Sequence, residues 1–217
     1  MKALLFVAGK DGIKNMNHVH ISRGNSKLGP NIPSVNLPPV VTCRIDAPCI
    51  KKCYARKGRF SMRHNKELLE NNLGIWKTNP AQYEHDILNG ACFHAFFRYH
   101  SAGDIPDANY LKMMVRVAYA LPNTRFLAFT KKFELVNAHI AEHGALPENL
   151  KIVFSAWGCF LPENPYGLPV AYIRFKNCEC NIPENARHCS KFCGDCVMSG
   201  MSCWGLNCGE SVYFDEH

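Results

Sequence analysis

Ten of the twelve cysteines in this 217-residue chain fall into two clusters, and these thiols are the side chains best suited to do chemistry. The first cluster has the spacing Cys-x5-Cys-x3-Cys, at Cys43, Cys49 and Cys53. Disulfide-dense chains are usually short domains without a core, whereas 47% of these residues are hydrophobic and the length allows a core. In a reducing compartment, clustered thiolates bind zinc, copper(I) or iron-sulfur clusters. The pattern therefore predicts metal rather than disulfides.

Three thiolates are one fewer than the four ligands of a cuboidal cluster, so one iron would stay open to a small molecule. The first cluster therefore predicts an open 4Fe-4S site. Closed zinc is the alternative, and it would need a fourth ligand near the three cysteines, from His64, His20 or the tail.

The second cluster has seven cysteines between positions 178 and 208, too many for one four-ligand site. Its candidate metal ligands are Cys180, Cys189, Cys193, Cys196 and Cys203. With Cys180 or Cys203 as a fourth ligand, the run from Cys189 to Cys196 predicts an auxiliary 4Fe-4S site, and structural zinc is the alternative.

The elements that position these cysteines follow from alternating apolar and polar runs. Helices are expected over 63–76, 80–92, 107–120 and 133–143, and strands over 93–99, 124–130, 151–155 and 169–175, the last strand of the chain. The short run Val40-Val41 leads directly into the first cysteine cluster. This order predicts an α/β fold: a partial (β/α) barrel of about five or six mostly parallel strands with a cysteine-rich C-terminal metal-binding tail.

Two domains follow from this division: residues 1–176 form the barrel with an irregular N-terminal segment, and residues 177–217 form an iron-sulfur or zinc tail. Neither a secretory signal nor a run of roughly 20 apolar residues is recognisable, so a cytoplasmic protein without membrane contact is expected. The formal net charge is +7, but the basic residues look dispersed along the sequence. Thiolate ligation of metal would also lower the net charge, so nucleic acid is not the favoured partner.

Polar residues follow three predicted strands at the carboxyl ends, where sites of parallel α/β folds lie. They lie in the segments 98–104, 130–132 and 155–157. His100 and Lys131 are the candidate catalytic residues, and the basic residues Lys131, Lys132, Arg98 and Arg174 suit an anionic substrate. The alternative is that such residues only satisfy loop backbone or cap the next helix.

The order of short motifs along the chain resembles the phage-encoded gene-product-88-like family over about residues 20 to 205. The motifs are Cys53-Tyr-Ala, Arg63-His64, His100-Ser-Ala-Gly-Asp104, Phe129-Thr-Lys131 and the cysteine-rich tail. The resemblance names a family without fixing its chemistry, and it implies the cytoplasm of a phage host as the location.

More widely, the first cysteine cluster and the later strand ends resemble the partial barrel of radical S-adenosylmethionine enzymes, although those usually have the spacing Cys-x3-Cys-x2-Cys. This resemblance implies that the three cysteines hold the cluster and that S-adenosylmethionine binds its open iron. It also implies that Gly103 and Asp104 receive the methionyl amino group and that Ser155 meets the ribose.

Two classes of function follow. The first is a radical S-adenosylmethionine-like enzyme, served by a reductase, with an unidentified small-molecule or macromolecular substrate. The second is a noncatalytic iron-sulfur or zinc protein that transfers electrons, senses redox state or binds a protein or nucleic-acid partner.

Overall fold

The structure is a computed structural model, and it describes residues 17–176, 182–189 and 192–216. The helices of these residues are α1 (Arg63–Thr78), α2 (Pro80–Ala91), α3 (Ala108–Ala120), α4 (Phe133–His143) and α5 (Cys193–Met198). The strands are β1 (Ile21–Ser22), β2 (Ser34–Val35), β3 (Phe96–Tyr99), β4 (Arg125–Thr130), β5 (Leu150–Ser155), β6 (Val170–Arg174), β7 (Arg187–His188) and β8 (Ser211–Asp215).

The eight strands of the described residues form one sheet in the order β1-β2-β3-β4-β5-β6-β8-β7. Only the β1–β2 pair is antiparallel. The predicted α/β class and the mostly parallel sheet are confirmed. The sheet is open, with β1 and β7 at its edges, so the barrel is not confirmed. Eight strands replace the expected five or six, because the pairs β1 and β2 at one end and β7 and β8 at the other were not recognised.

Local signals mark several of the points where the long helices begin or end. Asn79 caps α2, since its side-chain oxygen accepts a hydrogen bond from the Gln82 backbone N–H at 3.1 Å. Asp107 caps α3 in the same way through the N–H of Tyr110 at 2.9 Å. Gly144 follows α4 with φ +81°, which glycine adopts readily. The predicted helices are therefore confirmed to within one or two residues.

Strand alternation divides the core between the two faces of the sheet. Phe97, Phe126 and Phe154 are fully buried on the face that α1 to α4 cover. On the opposite face, the main apolar strand residues pack against Trp204 and Leu206 of the tail; they are Leu127, Val153, Ala171 and Val212. The cysteine-rich tail therefore covers the sheet face that the helices leave free.

The predicted strand 169–175 is present as β6, but it is not the last strand, because β8 follows it in the chain and pairs with it in parallel. The tail thus contributes two strands to the sheet. The run Val40-Val41 lies outside the strands: Val40 has φ +72° and Val41 is exposed, and the strand before the first cysteine cluster is β2.

No helix within the described residues is long and apolar enough to span a membrane.

Candidate functional site

Two loops at the carboxyl ends of β2 and β3 are joined by hydrogen bonds and lie too close together to leave room for a side chain at Gly103. Leu37 N–H donates to the Ala102 carbonyl at 3.0 Å, and Asp104 N–H donates to Thr42 Oγ1 at 3.0 Å. Between them, Gly103 has φ +81°, and a Cβ atom there would lie 2.6 Å from the Leu37 carbonyl oxygen. In this structure, Gly103 permits the close approach that fixes the start of the first cysteine loop.

The Asp104 carboxylate joins the ends of β3 and β4. It is 5% exposed, and Oδ1 accepts hydrogen bonds from Thr130 Oγ1 at 2.6 Å and from Ile105 N–H at 2.7 Å. Oδ2 accepts from Lys131 N–H at 2.9 Å. Burial raises the pKa of Asp104, and these three donors oppose the rise. Both oxygens are thus engaged by the protein.

The three cysteines of the first cluster lie together on the loop that follows β2, in and beside a series of short 3₁₀ turns. They are Cys43, Cys49 and Cys53, all partly buried. Val40 N–H donates to Cys43 Sγ at 3.3 Å. Burial raises the pKa of Cys43 to about 11, Val40 N–H opposes the rise, and the neighbouring Asp104, Cys49 and Cys53 add to it. The Asp104 carboxylate and the other two thiols are therefore close enough to Cys43 to influence its pKa.

Lys131 and Ser155 lie beside this group. Lys131 Nζ donates to Ser155 Oγ at 2.7 Å and lies 5.8 Å from the centroid of the Trp157 ring. Burial raises the pKa of Cys49, and the Lys131 ammonium partly offsets that rise. The structure thus brings together four predicted elements: the first cysteine cluster, Asp104, Lys131 and Ser155.

His100 belongs to the core on the helix side of the sheet. It is 3% exposed, with φ +59°, and its Nε2 is hydrogen-bonded to the Tyr110 hydroxyl at 3.0 Å. That hydroxyl also meets Tyr83 at 2.8 Å. Burial, and then the nearby Arg98, lower the pKa of His100 to about 3, so the imidazole is neutral. Its position differs from that of Lys131, with which the sequence grouped it.

Four tail cysteines form the second group, contributed by the end of β7, by α5 and by the turn Cys203–Gly205. They are Cys189, Cys193, Cys196 and Cys203. Burial raises the pKa of Cys203 to about 12, Arg98 opposes the rise, and the other three thiols add to it. The predicted ligand Cys180 lies outside the described residues.

Among residues 17–176, 182–189 and 192–216, no three His, Cys, Asp or Glu side chains lie close enough to hold a metal ion. The cysteines of each group are neighbours rather than a preformed ligand set. The donor chemistry nevertheless fits iron: each group offers partly buried thiols, and Cys43 Sγ accepts a backbone N–H, a bond that tunes cluster potentials. Zinc accepts the same thiolates.

Arg98 connects the surroundings of the two cysteine groups. Its guanidinium carbon lies 4.2 Å from the Phe129 ring centroid, and no described residue hydrogen-bonds its Nε. Burial lowers the pKa of Arg98, and the fields of Tyr54, Cys193 and Cys203 oppose this. Alternation along β3 could have placed Arg98 opposite the buried Phe97, on the tail side.

Tyr54 was named in the sequence analysis only as part of the motif Cys53-Tyr-Ala, without a role. Its hydroxyl donates to the Ser101 carbonyl, which ties the first cysteine loop to the loop after β3. The only signal for it was its place directly after Cys53.

Comparison with known proteins leaves the radical S-adenosylmethionine resemblance without confirmation. No curated protein and no solved structure matches the chain significantly. A family model described as gene product 88 matches residues 13–174, well over half of the chain, and stops before the tail that the expected resemblance included. The protein belongs to the gene product 88 family.

Proposed function

We propose that this protein is an iron-sulfur protein whose first cysteine group holds an open 4Fe-4S cluster, as in radical S-adenosylmethionine enzymes. The observation that carries the proposal is the clustering of Cys43, Cys49 and Cys53 beside Lys131 and Ser155 at the strand ends. A three-thiolate site next to a cation and a hydroxyl suits an anionic ligand that also reaches an open iron.

When bound, such a cluster supplies an electron and a coordination position for S-adenosylmethionine or another ligand. The protein supplies orientation: the Lys131 ammonium suits a ligand carboxylate, and the Ser155 hydroxyl, 2.7 Å from it, suits a second polar group. Because both Asp104 oxygens are engaged, we assign Asp104 to positioning Lys131 through the bond to its N–H.

For the tail we propose an auxiliary cluster with Cys203 as the fourth ligand. Cys189, Cys193 and Cys203 all pack against the apolar group on the tail-side face of the sheet. Cys203→Ala and Cys180→Ala decide between Cys203 and the alternative fourth ligand Cys180, since replacing the true ligand removes the auxiliary cluster. Structural zinc at these thiols is the competing occupant.

A second candidate function is electron transfer without catalysis. It is favoured by the position of the tail: Trp204 and Leu206 pack on the sheet face that would line the interior of a barrel. A substrate at the first cysteine group would therefore have to approach from the rim rather than through the interior.

Metal analysis with spectroscopy on anaerobically purified protein tests these proposals. Two clusters predict about eight iron and eight sulfide per chain. S-adenosylmethionine added to the reduced protein should change the electron paramagnetic resonance signal of one cluster, and Cys53→Ala should abolish that change. Stoichiometric zinc without sulfide contradicts the iron-sulfur assignment. An unchanged signal in protein with both clusters favours electron transfer.

A further inference from the structure

The positive charge of this protein is concentrated in one short segment rather than dispersed. Residues 44–66 contain eight of the 25 Lys and Arg residues and one of the 18 Asp and Glu residues. This segment alone therefore accounts for the formal net charge of +7, and the rest of the chain is balanced. The segment includes Cys49 and Cys53, so the charge surrounds the first cysteine group.

Most of these cations face solvent. The exposed ones are Lys51, Lys52, Arg56, Lys57, Arg59, Arg63 and Lys66. Ion pairs engage Lys52 with Glu216 at 2.9 Å and Arg63 with Glu67 at 2.8 Å. Within the described residues, Lys51, Arg56, Lys57 and Arg59 form no ion pair, so their charges remain available to a partner.

Aromatic rings alternate with these cations. Tyr54 is 58% exposed, and its ring lies edge-on to Phe60 at 6.3 Å between centroids. Both residues lie on the consecutive 3₁₀ turns that carry the cations Arg56, Lys57 and Arg59. An exposed ring within a dense set of cations matches the two components of single-strand binding, which are base stacking and backbone neutralisation.

We propose that residues 44–66 form a binding surface for single-stranded nucleic acid at the entrance to the first cysteine group. The alternation of cations with rings favours nucleic acid over an acidic protein, whose interface would use an apolar centre with a polar rim. This inference goes beyond the proposed function, because binding to the surface does not depend on which metal the cysteines hold.

Fluorescence anisotropy of the intact protein with a labelled DNA or RNA strand of about 15 nucleotides tests the proposal. Binding should weaken as salt rises. Arg56→Gln with Lys57→Gln should lower affinity about tenfold at about 100 mM salt and reduce the slope of log affinity against log salt by about 1.4. The matched pair Lys77→Gln with Arg125→Gln, two exposed cations outside the segment, should bind as the wild type does.

The ring is tested separately. Tyr54→Leu should lower affinity about tenfold without changing the salt slope, whereas Tyr54→Phe should keep it. Circular dichroism and metal content, unchanged in each variant, show that the loop is intact. Equal binding by both Gln pairs, or no binding of either strand at low salt, overturns the proposal. The proposal is also overturned if an acidic protein, such as a flavodoxin, binds in a salt-dependent way and the oligonucleotides do not bind.

Discussion

The indole nitrogen of Trp204 donates a hydrogen bond to the backbone carbonyl of Phe97 at 3.1 Å, and this bond joins the cysteine-rich tail to β3. Trp204 is 4% exposed, and its ring lies 5.7 Å from that of Phe96 between centroids. The tail is therefore anchored on the sheet by a buried aromatic side chain as well as by strand pairing.

Removing this anchor should destabilise the fold. Trp204→Ala should lower the free energy of unfolding by about 3 to 5 kcal/mol, because it leaves a cavity and removes a buried hydrogen bond. Urea denaturation at equal metal content measures the loss. Met198→Ala, at a tail residue that is 88% exposed, should cost less than about 0.5 kcal/mol. Similar losses in the two variants would contradict the anchoring role.

Substitutions at two glycines distinguish the cost of a steric clash from the cost of backbone strain. Gly103 and Gly144 share φ +81°, but a Cβ atom on Gly103 would meet Leu37 and Thr42, whereas Gly144 has nothing within 4 Å. Gly144→Ala should cost about 1 to 3 kcal/mol from strain alone, because with ψ −166° its backbone lies in a region that is essentially restricted to glycine. Gly103→Ala should cost about 2 kcal/mol more, because backbone must shift. Denaturation curves giving equal losses would show that the loops can separate.

His100 should make stability depend on pH. The pKa of His100 is about 3 in the folded protein, below the usual value of about 6.5. Between these two pH values, the unfolded chain therefore binds a proton at His100 that the folded protein does not bind. Stability is therefore full above pH about 6.5 and falls as the pH drops towards 3, with about 2 kcal/mol lost between pH 7 and 5.

His100→Asn tests this contribution, since Asn tolerates the positive φ of +59°. The variant should lose about 2 kcal/mol less than the wild type between pH 7 and 5. His20 and His139, whose pKa values are also lowered by burial, contribute equally in both proteins. Parallel stability curves for the two proteins would refute the assignment.

Arg98 should tune the proposed tail cluster. Its positive charge lies near Cys193 and Cys203, so Arg98→Met should make the reduction potential of that cluster more negative, by tens of millivolts as an order of magnitude. Arg98→Lys retains the charge and should shift the potential less. A redox titration followed by electron paramagnetic resonance measures both variants, and a shift of equal size in the two would show that packing on Phe129, rather than charge, matters.

Length explains most of the elements that the sequence missed, but not β8, whose five residues were not recognised as a strand although the shorter β3 was found. The helices α1 to α4 and the strands β3 to β6 have enough residues for a periodic pattern, and each was found. The strands β1, β2 and β7 have two residues each, too few to show alternation, so the sheet seemed shorter than it is.

The candidate site was predicted through its chemistry more than through its contacts. Strand ends correctly grouped Asp104, Lys131 and Ser155, because parallel strands present their carboxyl ends on one edge. The same rule could not show that His100 faces the helix-side core, since its positive φ redirects the side chain. Nor could it show that the tail lies on the opposite face of the sheet, which depends on long-range pairing of β8 with β6.

The strand order means that the second cysteine group is translated before the sheet around it is complete. Among the described strands, the edge strand β7 pairs only with β8, which the ribosome makes later. Cys189, Cys193, Cys196 and Cys203 are therefore translated before the strand that holds their neighbourhood in place. If the proposed auxiliary cluster is present, its assembly would therefore be coupled to completion of the sheet by β8.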